Sequence, residues 1–273
     1  MFGPYELKSE IGKAPLGGLY LGARPDGATA VIKTLALATE FEPRDQAEVR
    51  KRFFREAEAA ARLRHPGIRR IVASGEDNGT AWVAMERLEG KPLSHFTVPF
   101  RLLPVGDTLE LAARAAEALN YAHSENVVHR DIKPANIIYD PVTDRLKITD
   151  FGFAHITDSG RTRTGLVLGT PSFKSPEQLS DGRVTAASDL FSLGVTLYQL
   201  LTGKLPFQSG SMIGLMQSII ARPHVPPSEA RDDLDPVLDD ILGRALQKRP
   251  PDRFADGAEM AAALRACAET VCG

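Results

Sequence analysis

The sequence predicts an α+β chain of two lobes, a small β-rich lobe carrying one long helix and a larger, mainly helical lobe. Three observations predict it. Up to Glu86 the chain alternates apolar and polar side chains in short runs broken by turn residues, with one interruption of helical spacing. From Asp107 onward the apolar spacing is helical, and Gly and Pro punctuate it. With 273 residues, 43% of them hydrophobic, the chain can bury one large core or two smaller ones.

In order, the alternating run at 19–23, the turn Pro25-Asp26-Gly27 and the run at 29–35 read as a β-hairpin. A helix follows over 45–64, with Phe53, Ala57, Ala60 and Leu63 on one face, and it stops before His65-Pro66-Gly67. Residues 68–74 and 81–86 read as a strand pair. The stretch 88–103, with Gly90, Pro92 and Pro99 and then Pro104, suits a connector. Helices are expected over 107–124, 188–201, 211–220, 236–247 and 256–267.

Lys plus Arg number 33 against 35 Asp plus Glu, so no overall field recruits nucleic acid or an anionic membrane. Cys267 and Cys272 lie together at the C-terminus, where they cannot tie down a distant part of the fold, and a reducing compartment is expected. The N-terminus lacks a signal-peptide pattern, and no stretch approaches the roughly 20 apolar residues of a membrane span. The expected location is cytoplasmic, either free or as the cytosolic domain of a longer or membrane-anchored protein.

Lys33 alternates with Val31 and Leu35, so in a strand its ammonium leaves the sheet on an apolar face and needs an anion. Glu56 lies on the apolar stripe of the long helix, beside Phe53 and Ala60. The two are expected to form one buried pair, because an unpaired buried ion costs on the order of 3 to 5 kcal/mol. The alternative is that both snorkel to water. Gly12, Gly17 and Gly18 would let a turn bring backbone amides close to a phosphate, although ordinary turn glycines explain the same pattern.

His129-Arg130-Asp131 follows Val127-Val128, and Asn136 precedes the apolar run Ile137-Ile138-Tyr139. A strand at 146–149 leads into Asp150-Phe151-Gly152. Asp131 can accept a proton, while Asn136 and Asp150 offer hard oxygen ligands for Mg²⁺ shared with phosphates. Turn-forming Asp and Asn explain any one of these residues, but not the set together with Lys33 and Glu56.

In order from Ile11 to Phe254, these residues resemble the eukaryotic-type (Hanks-type) protein serine/threonine kinase family, closest in appearance to its bacterial members. The resemblance implies a protein-kinase-like fold. Residues 1–86 would be the small lobe, a five-stranded antiparallel sheet plus the helix called αC; residues 87–103 would be the hinge and connecting segment; residues 104–273 would be the helical lobe with catalytic loop and activation segment. It implies ATP and Mg²⁺ (or Mn²⁺) as cofactors. Ile11, Gly12, Lys13, Ala14, Gly17, Gly18 and Leu19 would cover the phosphates, and Lys33, held by Glu56, would contact them. Val31, Met85 as gatekeeper, Glu86 and Leu88 would surround adenine, while Asn136 and Asp150 would hold the metal. Asp131 would take the proton of the acceptor hydroxyl, with Lys133 steadying the transferred phosphate, Arg130 beside it and Thr170 near the docking loop. Ser175-Pro176-Glu177 resembles the end of the activation segment, Asp189 to Gly194 the buried helix αF, and Arg253 would pair with Glu177.

The expected reaction is transfer of the γ-phosphate of MgATP to Ser or Thr hydroxyls of proteins. Thr162 and Thr164 are candidates for autophosphorylation, on the chain itself or a second copy, because phosphate there could pair with Arg130. Ala14-Pro15 departs from the family's glycine loop, and proline removes one amide donor. Rival readings are a pseudokinase that only binds, suggested by that loop, and a small-molecule phosphotransferase of related fold. His65, His95, His123, His155 and His224 show no metal-ligand spacing, and Trp82 is read as core.

Overall fold

The early alternating runs fold as antiparallel strands: β1 (Glu6–Ala14), β2 (Gly17–Ala23), β3 (Thr29–Ala36), β4 (Ile71–Asp77) and β5 (Thr80–Glu86). They form one sheet in the order β1-β2-β3-β5-β4. The computed structural model describes residues 1–14, 16–151, 171–180 and 182–272. Two compact units emerge. The first takes 1–64, 68–88 and, among the described residues, 150–151; the second takes 65–67, 89–149 and the described residues from 171.

In the first unit β3 is central, with Lys33 opposite Leu19 on β2 and Val83 on β5. Ile32, Val83 and Ala84 are fully buried. Trp82 packs edge-on against Tyr5 and donates Nε1–H to Asp77 Oδ2 at 2.6 Å, so it is a core residue with its one polar atom satisfied. Two helices follow β3: α1 (Leu37–Glu40), which the sequence pattern did not reveal, and α2 (Pro43–Arg62). Pro43 opens α2 at a position where its missing N–H is harmless, and Val49, Phe53, Ala57 and Ala60 form its buried stripe.

Gly12, Gly17 and Gly18, expected in a glycine-rich turn, lie instead on two paired strands. β1 runs through Gly12 to Ala14 and pairs with Gly17, Gly18 and Leu19 of β2. Gly17 is needed because its backbone lies directly against β3. A Cβ on Gly17 would run into the Thr34 carbonyl, and the Gly18 N–H donates to Thr34 Oγ1 at 2.9 Å. Gly17→Ala should therefore lower stability by about 1–3 kcal/mol through overpacking. A thermal melt checks this, and an unchanged midpoint would contradict the close approach.

The second unit is mainly helical: α3 (Val105–Ser124), α4 (Pro176–Leu179), α5 (Ala186–Thr202), α6 (Met212–Ala221), α7 (Pro227–Ala230), α8 (Val237–Ala245) and α9 (Gly257–Cys272). α4 and α7 are one-turn helices too short for a periodic signal. α5 is apolar on nearly every side, and its residues from Ser188 to Tyr198 are all buried. Two of its hydroxyls are satisfied locally, Ser192 and Thr196 donating to the carbonyls four residues back, while Ser188 donates to Glu177 Oε1 at 2.6 Å. Gly203, at φ +71°, ends it in the left-handed conformation.

A three-stranded sheet completes this unit, with β6 (Lys91–Pro92) beside the hairpin of β7 (Ile137–Asp140) and β8 (Arg145–Ile148). The stretch read as a connector thus holds a strand and the buried Leu93. No helix among the described residues is long and apolar enough to cross a membrane.

Candidate active site

In the first unit, β3 carries Lys33 to Asp150, with Nζ 2.8 Å from Oδ1 and side chains 17% and 29% exposed. Asp150 holds φ +65°, a left-handed conformation that Asp tolerates better than most residues. The expected pairing of Lys33 with Glu56 is not formed. Glu56 instead accepts from Arg55 at 3.1 Å. The reason is local: the α2 stripe buries Phe53, Ala57 and Ala60 but leaves Glu56 on its flank, and the Asp150 carboxylate has taken the ammonium.

The other first-unit candidates lie along the sheet. Ile11 and Lys13 are on β1, Ile11 half exposed; Val31 and Met85 are buried neighbours across β3 and β5. Glu86, whose backbone is expected to face adenine, donates its N–H to the Arg70 carbonyl and accepts Arg69 Nε on its own carbonyl at 2.9 Å. These bonds stitch the turn before β4 to β5, and Leu88 follows, half-buried. Arg69 was not singled out by the sequence. Burial pulls its guanidinium below the ordinary value, with Asp150 and Glu86 opposing that shift.

In the second unit the loop from His129 to Asn136 is fixed by hydrogen bonds. The fully buried His129 donates Nε2–H to the Thr149 carbonyl at 2.7 Å and accepts the Asp131 N–H on Nδ1 at 3.2 Å. Asp189, near the start of α5, accepts the N–H groups of His129 and Arg130 and also His123 Nε2, each within 2.8 Å. These bonds stabilise Arg130 at φ +70°, a strained conformation for a branched-free but bulky side chain.

Asp131 sits at the centre of this network. Its Oδ2 accepts from Lys133 Nζ at 2.6 Å and from Asn136 Nδ2 at 3.0 Å, and Nδ2 also bonds the Asp131 carbonyl. Asn136 thereby turns its amide nitrogen toward Asp131 and keeps its oxygen for another partner. Lys174, missed by the sequence reading, donates to the Arg130 carbonyl at 3.1 Å and lies 3.8 Å from Asp131 Oδ1.

Arg253 meets Glu177 as expected, through two bonds of 2.8 Å, both residues buried. Burial would raise the Glu177 carboxyl, but hydrogen bonds from Arg253 and Ser188 outweigh it and hold it below the ordinary value. Thr162, Thr164 and Thr170, the candidate phosphosites and docking threonine, lie outside the described residues, as do Pro15, Ser159 and His155.

The protein kinase domain profile matches residues 5–265. The chain belongs to the protein kinase family. It is 35% identical over 274 residues to serine/threonine-protein kinase Pkn3 of Myxococcus xanthus, covering 96% of this chain and 49% of that one. It is 38% identical over 220 residues to serine/threonine-protein kinase PknB of Mycobacterium tuberculosis, covering 78% of this chain and 35% of that one. The chain thus spans half or less of the length of these curated relatives. Among solved structures, the PknI kinase domain of Mycobacterium tuberculosis superposes with a TM-score of 0.77 at 30% identity over 97% of both chains. Rad53 in complex with AMP-PNP gives 0.77 at 25% identity, over 94% of this chain and 64% of that one.

Proposed function

We propose that this protein kinase chain transfers the γ-phosphate of MgATP to Ser or Thr hydroxyls of proteins. The observation that carries this reading is the fixing of Asp131: its N–H is tied to His129, and one carboxylate oxygen is held by both Lys133 and Asn136. A carboxylate so held can orient an acceptor hydroxyl and receive its proton as the oxygen bonds to phosphorus. The names of the relatives support the Ser/Thr class, and the AMP-PNP complex of Rad53 supports the nucleotide.

ATP bound with Mg²⁺ or Mn²⁺ supplies the phosphoryl group and leaves as ADP. The residues fit such a cofactor: Lys33 offers a cation for phosphate, Asp150 a hard anionic oxygen, and Asn136 an amide oriented with its oxygen outward. Ile11, Gly12, Lys13, Ala14, Gly17, Gly18 and Leu19 cover the phosphates in this reading, and Val31, Met85, Glu86 and Leu88 accommodate adenine. In this reading Glu56 would hold Lys33 when the ammonium contacts phosphate. Thr170 is assigned to acceptor docking in this reading. Autophosphorylation at Thr162 or Thr164, read by Arg130, belongs to the same proposal, as do protein partners and a cytoplasmic location.

The test is incubation with labelled MgATP and a generic protein substrate, beside a panel of small alcohols and aminoglycosides. Phosphoserine or phosphothreonine in the protein is the expected result. Label only in small molecules would instead favour the small-molecule phosphotransferase.

A further inference from the structure

Lys174 stands between the 3₁₀ turn Pro171–Phe173 and Ser175, the N-cap of α4. Its side chain is 13% exposed, and its ammonium bridges the Arg130 carbonyl and Asp131 Oδ1. That oxygen is not the one held by Lys133 and Asn136. The Arg130 carbonyl takes a second bond, from Gln178 Nε2 at 2.9 Å, while Gln178 Oε1 caps α4 by accepting the Ser175 N–H. The ammonium is therefore fixed from both sides, by the start of α4 and by the loop it touches. Lys133 alone already opposes the charge of Asp131, so Lys174 adds a second cation at the same carboxylate.

We infer that Lys174 is a specificity-determining residue that makes this kinase favour Ser or Thr acceptors flanked by an acidic side chain. The inference rests on Asp131 as the group that receives the acceptor proton. An acceptor oxygen must come within about 2.6–3.2 Å of that carboxylate. Consecutive residues of the acceptor peptide are about 3.8 Å apart, so the side chain of a near neighbour reaches the ammonium. There a carboxylate is attracted and an ammonium repelled, in a partly enclosed setting where water screens the charge less than on an open surface. A purely structural Lys174, serving only as a donor to Arg130, would slow every acceptor alike.

The experiment uses a single-serine peptide with aspartate or lysine placed in turn at each of the two positions on either side of the serine. The readout is the ratio of kcat/KM for the aspartate over the lysine peptide. At the most sensitive position the wild type should show about a tenfold ratio, carried mainly by KM. Lys174→Arg should keep the ratio. Lys174→Gln, which retains a donor for Arg130 but no charge, should bring it near unity, and Lys174→Glu should invert it. A wild-type ratio of one or below at every position overturns the inference, as does an unchanged ratio in Lys174→Gln. If the wild type labels no peptide and no protein, the phosphotransfer reading fails and the inference with it; labelling without charge preference defeats the inference alone. A wild-type ratio of one or below decides without any variant, and Lys174→Gln and Lys174→Glu are two separate charge changes, so either one that folds decides the rest.

Discussion

Replacing Arg253 by alanine should lower stability by about 3–5 kcal/mol, as expected when one partner of a buried ion pair is removed. The guanidinium spends all of its N–H donors: Nε on the Gln247 carbonyl, Nη1 on Glu177 Oε1 and the Ala187 carbonyl, and Nη2 on Glu177 Oε2 and the Lys248 carbonyl. Its plane also lies 4.9 Å from the Phe191 ring. Truncation strands the Glu177 carboxylate and three carbonyls at once. Arg253→Lys should recover little of the loss, since an ammonium has three donors and no planar fork. Urea denaturation at neutral pH measures this, and a loss below about 1 kcal/mol, the range of exposed pairs, would show that water reaches the pair.

The same pair gives stability a pH dependence. The Glu177 carboxyl lies below its ordinary value of 4.5 in the folded chain, so between that value and the folded one the unfolded chain binds more protons. Stability from this group is therefore complete above pH 4.5 and is lost as pH falls through the depressed folded value. Arg253→Ala should flatten that part of the acid unfolding curve.

Much of this was legible because long periodic segments declare themselves. The stripe of α2 and the nearly all-apolar α5 could be read to within a few residues, and the chemistry-bearing residues stood out as charges or amides against apolar runs. The Arg253–Glu177 pair was legible only through the family resemblance. What stayed hidden were choices among partners. Lys33 faces an apolar environment whichever carboxylate answers it, and its register says nothing about Asp150, distant in the chain, taking the place of Glu56. Gly17 reads as a turn glycine because the reason for it, the approach to Thr34 on β3, is a contact between strands. Lys174 lies in a polar stretch without periodicity. Its placement depends on the unusual backbone of Arg130, which in turn depends on N–H groups that donate to Asp189 on α5.

Asp131→Asn should cut kcat by about 10²–10⁴-fold, the range for removing a positioned general base. The substitution preserves shape, so the backbone bonds of residue 131 to His129 and Asn136 persist, and the Asn136 Nδ2 bond to Oδ2 remains available to an amide oxygen. It removes the charge that two ammonium groups oppose, Lys133 at 2.6 Å and Lys174 at 3.8 Å. An amide cannot take the hydroxyl proton, and its NH₂ turned toward either lysine would be repelled. ATP affinity should stay within about twofold, because the loss falls on the transition state and not on ground-state binding. Single-turnover labelling of a protein substrate, with nucleotide affinity and melting temperature measured on the same protein, separates these terms. If the variant keeps more than about a tenth of wild-type kcat while folded and nucleotide-bound, Asp131 is not the proton acceptor. Its network would then serve only to shape the loop, and the preference assigned to Lys174 would lose its anchor.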